Sequence, residues 1–558
     1  MNLFLIALLV ISLFILAYRS YGRFLAAEAG LDNSRPTPAT TINDGMDFVP
    51  ASTPILLAQH FSSIAAAGPI VGPILAGLWF GWLPTLLWIV LGCIFIGSAH
   101  DFANIVASIR HKAMSIAEIV RENLGLRAYM LFLAFIWISL NYVIVAFTDL
   151  TASTFLAKDI GPGVASSSIL YLLLAIIVGI ALYKWKIPLS LATAVALPLL
   201  ILIVWYGQKI PITIPDWFPG GQNKGWVLII LAYCFVASIL PFWLLLQPRG
   251  YLGGYFLYSS LVVGIFGIML GGYKVSYPAF VGFKNALGAP LFPILFITVA
   301  CGACSGFHGL VCSGTTSKQI SKEGDAHLVG YGGMLLEGLV ALIALATIMI
   351  LAPGSEALKL QPTEIYAHGL ARFAMVLGVP VELALTFGLL AFATFVYDTL
   401  DVSTRLGRYI LQELTGWQDH TGRVLATFIT ILVPAIFLIS TKEQAYLKFW
   451  PVFGSSNQLL AALSLLGISV WLMKEGKNYL ITFIPMIFVM IMTIWSLIIQ
   501  AGPMIKMVLE GRIGFDINGT IAIILIALAT LLVREAYRVI YAYRAGEMMV
   551  TKREGKSG

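Results

Sequence analysis

His60 stands in Gln59-His60-Phe61-Ser62-Ser63, just ahead of Ala66-Ala67-Gly68-Pro69-Ile70-Val71-Gly72-Pro73. An imidazole, with an ordinary pKa of about 6.5, gains and loses a proton at physiological pH, which coupling to a proton gradient requires. A neutral ring hydrogen-bonded to a neighbouring helix is the other reading of His60. Each Gly-Pro pair removes an amide donor and disfavours the α conformation at its glycine. The segment 66–73 is therefore expected to interrupt a helix. Carbonyls freed near Ala66 and Ala67 would coordinate a cation or hold a water beside His60. Amides released near Gly68, Pro69, Val71 and Gly72 would attract a carboxylate at the start of the following half-helix. Ala237-Ser238-Ile239-Leu240-Pro241-Phe242-Trp243 is the second candidate break, with Ser238, Phe242 and Trp243 as further binding residues.

Other ionisable groups in apolar surroundings are functional candidates, because each costs several kcal/mol unless it is paired or meets water. His100-Asp101 closes a span at its inner end, where Asp101 is expected to pair with Arg110 or Arg405, as a structural or gating ion pair. Asp149 and Glu337 are proton-carrier candidates, with a partnered packing role as the alternative. Asp401 and Arg405 are four apart, so a salt bridge on one helix face is expected, read as structural or as part of an inner gate. Cys301, Cys304, His308 and Cys312 share a face, which suggests a metal site. Eleven residues of helix span about 16 Å, however, so these four cannot meet on one ion, and no metal centre is expected. The small residues around them suit close helix packing instead. No nucleotide-binding loop, zinc-protease histidine pair or serine elbow occurs, which removes ATP-driven transport and most membrane proteases from consideration.

The elements that must position these groups are membrane helices. Of the 558 residues 59% are hydrophobic and 11% charged, and the mean hydropathy is +0.91, against about 25% charged residues in soluble domains. The net charge of +7 is spread singly between apolar runs rather than in a basic stripe, so nucleic acid is not an expected partner and the lipid bilayer is. Five cysteines are too few for a disulfide scaffold. A bilayer core needs roughly 20 apolar residues per helix, and about fifteen windows qualify, beginning near residues 2, 55, 84, 128, 167, 189, 226, 252, 290, 330, 378, 422, 452, 479 and 517. The first is read as a retained helix rather than a cleaved signal. Alternating the connections collects most Lys and Arg on one side, from Arg19, Arg23 and Arg35 to the tail after Arg534. That side is cytoplasmic by the positive-inside rule, with the N-terminus outside and the C-terminus inside.

The candidate breaks fall in the second and seventh windows, five helices apart and therefore in opposite directions. Two five-helix units in inverted orientation, each starting with an interrupted helix, is the pattern of the LeuT-like fold. The expected fold is thus an all-α polytopic membrane protein. Its parts are an N-terminal helix and loop (1–54), a first repeat (55–207), an inverted second repeat (208–408) and accessory helices with a basic tail (409–558). In that arrangement the helix carrying Ser305 and His308 faces the first break, and Ser305 would lend a hydroxyl to a sodium site.

Several segments carry a family resemblance. They include Arg35-Pro36-Thr37-Pro38-Ala39, Asn43-Asp44-Gly45, the double Gly-Pro run, Ser305-Gly306-Phe307-His308, Gly314-Thr315-Thr316, Thr404-Arg405 with Gly407-Arg408, and Ser456-Asn457-Gln458. Together they resemble the carbon starvation protein A family of prokaryotic inner-membrane transporters. The resemblance implies a fold of the amino acid–polyamine–organocation superfamily and uptake of pyruvate or short peptides, driven by a proton or sodium gradient without a cofactor. A membrane-embedded sensor of such metabolites is the alternative.

Overall fold

The computed structural model describes residues 2–545 except 45–47, 242, 287, 418, 442–444 and 512–515. Its main helices are α1 (Leu3–Ala29), α2 (Thr53–Ile64), α3 (Gly68–Phe80), α4 (Trp82–Arg110), α5 (Leu126–Phe155), α6 (Gly161–Tyr183) and α7 (Leu189–Gly207). They continue with α8 (Gly221–Ile239), α9 (Leu246–Leu270), α10 (Leu291–Thr298) and α11 (Gly306–Val311), the last extended by a π turn, Cys312–Thr316. The remainder are α12 (His327–Met349), α13 (Val381–Thr415), α14 (His420–Ser440), α15 (Ala445–Lys474), α16 (Leu480–Leu509) and α17 (Ile517–Arg544). Among the described residues thirteen helices are long and apolar enough to cross a membrane, and the pair α2 and α3, bent by 47°, makes fourteen. The one remaining window, the ninth, is the chain from Leu291 to Thr316, which is two short helices rather than one. The protein is a multi-pass membrane protein.

The first interruption lies where the sequence places it, but it is shorter. Only Ala65, Ala66 and Ala67 leave the helix, and Gly68-Pro69 forms the first turn of α3. Proline suits that position because the first amides of a helix have no intrahelical partner. Gly72-Pro73 lies inside α3. Pro73 there withdraws the amide that would serve the Pro69 carbonyl, without stopping the helix. Gly81, at φ +99, turns the chain directly from α3 into α4, against the backbone of Ala279 and Phe280.

The second interruption is not at 237–243. Pro241 ends α8 after Ile239, and the chain restarts at Leu246, so these residues join two helices that are each long enough to cross. The break instead occupies Val299–Ser305, between α10 and α11. No proline marks it, which is why the sequence hides it. The two interrupted helices cross antiparallel: α3 packs on α10, and α2 packs on α11.

Other contacts repeat in pairs. As α2 packs on α9, so α11 packs on α15; α5 packs on α13; and α8 and α14 each pack on both α5 and α13. The hairpin α6–α7 lies outside this correspondence, and α16 and α17 stack on the α15 side. Apolar residues such as Leu87, Ile201, Leu202, Ile436 and Ile498 are exposed on the perimeter, where lipid tails take the place of water.

Candidate functional site

At the crossing the two backbones approach more closely than side chains allow. A Cβ on Gly68 would run into the Cys301 side chain, and one on Gly72 would lie 2.5 Å from the Thr298 carbonyl oxygen. Val71 and Ile70 donate to the Ala67 carbonyl at 2.9 and 3.1 Å. No described residue accepts a hydrogen bond from the amides of Ala67 or Gly68. The second break is tolerated because neighbours serve its polar groups. Trp88 Nε1 donates to the Val299 carbonyl at 3.1 Å, Trp450 Nε1 to Thr298 at 3.3 Å and Gln458 Nε2 to Phe296 at 2.8 Å. Asn457 bridges the gap: its Oδ1 accepts from the Phe307 amide at 2.9 Å, and its Nδ2 donates to Cys301 Sγ at 3.2 Å and Ser305 Oγ at 3.1 Å. Ser305 thus lies at the crossing, held by Asn457.

Beside the crossing is a fully buried chain of ionisable groups. Asp101 on α4 takes His100 Nδ1 at 2.8 Å on one oxygen and His308 Nδ1 at 2.9 Å on the other. The opposite ring nitrogen of His308 lies 3.1 Å from Glu337 Oε2 on α12, within ion-pair reach but misaligned for a hydrogen bond. All four side chains have no solvent exposure. His60 joins from α2, its Nδ1 2.9 Å from Thr316 Oγ1, while its Nε2 is buried without a hydrogen bond among the described residues. Ligand atoms of His60, Asp101 and Cys312 lie within 4.8 Å of one another, a set that could accept a metal ion. Asp101 therefore does not pair with Arg110 or Arg405 as its place near a helix end suggests. Arg110 instead meets Glu323 at 2.9 Å in the loop before α12, and Arg35 meets the same carboxylate at 3.0 Å. Burial alone would raise the Glu323 pKa. The Arg110 hydrogen bond, the Asp32 amide and the two guanidinium charges outweigh it and hold the group below the usual carboxylate range.

A second buried cluster lies on the other side of α2. Arg249, in the first turn of α9, donates from Nε and Nη2 to Asp398 Oδ1 at 3.0 and 2.6 Å, and pairs with Asp401 as well. Tyr233 of α8 accepts from Arg249 at 2.8 Å and donates to Asp401 at 2.7 Å. Ser62 of α2 donates to Asp398 Oδ2 at 3.2 Å. The expected Asp401–Arg405 bridge is thus replaced: Asp401 turns to Arg249, and Arg405 donates to the carbonyls of Ala237 and Leu240 at 2.9 and 2.7 Å. Arg408 serves the Ser238 carbonyl at 2.7 Å. Cations at the C-terminal end of α8 complement its dipole, so these arginines cap a helix. Ser238 belongs to that cap and Trp243 packs beside Tyr183, both away from the crossing. Phe242 lies outside the described residues. Asp149 accepts from the Tyr446 amide at the start of α15, a capping role.

Sequence reasoning overlooked Arg249, counted only as a loop charge, although a lone arginine between Pro248 and Gly250 at the mouth of an apolar helix was the available signal. It also gave no role to Asn457, which has no sequence neighbour that explains it.

The family described as carbon starvation protein CstA matches residues 2–359 and 354–496. The chain belongs to this family. It is 32% identical to the peptide transporter CstA of Campylobacter jejuni, over 87% of this chain and 78% of the relative. To the pyruvate/proton symporter BtsT of Escherichia coli it is 29% identical, over 87% of this chain and 80% of the relative. The manganese transporter of Eremococcus coleocola, solved with an aromatic bis-isothiourea compound, aligns with 90% of this chain and 99% of its own at 14% identity and TM-score 0.46. This member of the CstA family is a membrane transporter and not an enzyme.

Proposed function

We propose that the chain is a proton-coupled secondary transporter that carries a small carboxylate such as pyruvate, or a short peptide, across the cytoplasmic membrane, with its C-terminus in the cytoplasm. The relatives named for peptide transport and for pyruvate/proton symport support both substrate classes and the coupling ion. Two inverted repeats, 53–270 and 291–474, would rock about the crossing of their interrupted helices. The substrate would lie at this crossing, against Ala67, Gly68 and Val71, where the unused amides of Ala67 and Gly68 at the start of α3 offer hydrogen-bond donors to its polar groups. Ser305 and Ala66 line the same crossing.

The observation that carries this reading is the buried chain Asp101–His308–Glu337, with His60 beside it. It holds two carboxylates and several imidazoles, with no arginine or lysine among the partners named above. Imidazoles between carboxylates can pass a proton from one to the next through buried surroundings, and such intramembrane groups mark proton relays. Its members come from α2, α4, α11 and α12, so protonation alters the contact between both interrupted helices and their surroundings. An ion that stabilises the substrate-competent arrangement raises substrate affinity, and the substrate raises the ion's by the same factor.

The test is uptake of labelled pyruvate and labelled dialanine into proteoliposomes, with proton and sodium gradients imposed separately. Accumulation driven by an inward proton gradient, and abolished by a protonophore, is expected. Accumulation under a sodium gradient alone, or flux indifferent to both gradients, would overturn the coupling.

A further inference from the structure

Arg249 is buried with a relative exposure of 1%, and its carboxylate partners Asp398 and Asp401 are buried too. One guanidinium thus pairs with two acids, and the charge of Arg405, one turn along α13, also acts on Asp401. The other groups facing the cluster are the phenols of Tyr233 on α8, Tyr397 on α13 and Tyr171 on α6, the last donating to the Arg249 carbonyl at 2.7 Å, the thiol of Cys234 on α8 and the hydroxyl of Ser62 on α2. Oδ1 of Asp401 is buried without a hydrogen bond among the described residues.

The geometry of the Arg249–Asp398 pair is unsaturated. Nε and Nη2 form the side of the guanidinium that matches a planar carboxylate with two parallel hydrogen bonds. Here both donate to a single oxygen, Oδ1, while Oδ2 turns to Ser62. A Cβ on Gly253 would stand 2.6 Å from Asp398 Oδ2, so glycine at this position is what lets the carboxylate lie against α9, while a Cβ on Gly250 would meet nothing within 4 Å. Ser62 lies three residues before the first break, which places the cluster against the same half-helix that leads to the crossing.

We infer that Arg249 is a carboxylate receptor for the transported substrate, and that Asp398 takes a proton when the substrate displaces it. This rests on the proposed carriage of a carboxylate. An O–H bond forms on Asp398 Oδ2, the two Asp398 hydrogen bonds to Nε and Nη2 break, and the substrate's two oxygens accept those same donors. The incoming anion and the incoming proton cancel, so the cluster returns to its starting charge. Carboxylate and proton therefore bind together, while an uncharged analogue gains nothing from the exchange. The Ser62 contact with Asp398 changes in the same event, which transmits occupancy to α2.

The experiment is calorimetric titration of the full-length protein in lipid nanodiscs with pyruvate, dialanine and methyl pyruvate, repeated in buffers of different ionisation enthalpy to count protons. Wild type is expected to bind pyruvate or dialanine with uptake of one proton and to ignore methyl pyruvate. Asp398→Asn, which imitates the protonated state, should bind without proton uptake. Arg249→Lys should weaken binding roughly tenfold to a hundredfold, as loss of charge-assisted hydrogen bonds does. Since Arg249→Lys disturbs a buried pair, the triple variant Arg249→Gln/Asp398→Asn/Asp401→Asn, which removes the guanidinium and both carboxylates it pairs with, checks that weak binding is not misfolding: it should unfold near the wild-type temperature and still fail to bind. Wild-type binding that persists unchanged in Arg249→Lys, with proton uptake retained in Asp398→Asn, overturns this assignment alone. Wild type that binds neither pyruvate nor dialanine overturns the substrate reading with it.

Discussion

His60 and Ser62, two residues apart on α2, face opposite ways into two separate buried polar clusters. His60 Nδ1 is 2.9 Å from Thr316 Oγ1 on the side of Asp101, and Ser62 Oγ is 3.2 Å from Asp398 Oδ2 on the side of Arg249. A spacing of two on a helix is about 200°, so one short half-helix separates the histidine cluster from the arginine cluster. Movement of α2 must break or remake hydrogen bonds to both. The half-helix is thereby placed to link the charge states of the two clusters, and its far end is the interruption at Ala65.

Glu337 is the acid at the end of the histidine chain, and neither of its oxygens has a hydrogen bond among the described residues. Glu337→Gln keeps its size and removes its charge. It should abolish proton-driven accumulation of pyruvate while leaving exchange of internal for external substrate at a substantial fraction of wild type. The measurement is uphill uptake against counterflow in the same proteoliposomes. If Glu337→Gln accumulates substrate normally, the proton passes elsewhere.

Gly68 and Gly72 of α3 predict different outcomes on repair. Gly68→Ala puts a methyl group into the Cys301 side chain, which a second change, Cys301→Gly, removes. Gly72→Ala meets the Thr298 carbonyl, which no side-chain substitution can withdraw. Both single variants should insert and lose most uptake, with overpacking costing about 1–3 kcal/mol each. Uptake should return in part only for Gly68→Ala/Cys301→Gly. Equal rescue of both, or none needed, would mean that the backbones do not cross here as described.

The membrane architecture was legible because long apolar runs and scattered basic residues follow directly from the bilayer's thickness and charge asymmetry. The first interruption was legible because proline acts locally: Gly68-Pro69 needs no tertiary partner to start a helix. The second was not, since Val299–Ser305 contains nothing that forbids a helix. The carbonyls freed at its start, those of Phe296 and Thr298 at the end of α10 and of Val299, are served by Gln458, Trp450 and Trp88, groups that lie far away in sequence. Pro241 misled for the converse reason, as a proline that ends a span looks the same in sequence as one that breaks it. Pairing of charges failed similarly. Asp401 and Arg405 are helical neighbours, yet both find partners on α8 and α9 that the i,i+4 rule cannot anticipate.

Asn457 is the tether that this account of the second break depends on. With the side chain gone, the Phe307 amide loses its acceptor in a buried position and Cys301 and Ser305 lose a common partner. Leaving such groups unpaired costs about 1–3 kcal/mol. Asn457→Ala should lower the unfolding temperature in detergent and reduce uptake. Asn457→Asp, which keeps the acceptor for Phe307 but loses the donor to Cys301, should fall between the two. Stability and uptake at wild-type level in Asn457→Ala would show that the break holds itself open.

Glu323 gives a pH signature away from the transport path. Its carboxylate ties the loop before α12 to Arg110 at the end of α4 and to Arg35, and it is held below the usual carboxylate range. A group whose folded pKa is depressed stabilises the fold fully above its unfolded pKa, about 4.3 for glutamate, and loses that contribution as pH falls through the folded value. Glu323→Gln should therefore unfold at a lower temperature than wild type at neutral pH. The gap should stay constant down to roughly pH 5 and then close on further acidification, as the wild-type carboxyl becomes neutral like the amide. Thermal unfolding of both proteins across that range measures it. A gap that widens in acid would mean that Glu323 is favoured in its protonated form, and that the two arginines do not hold it as the geometry indicates.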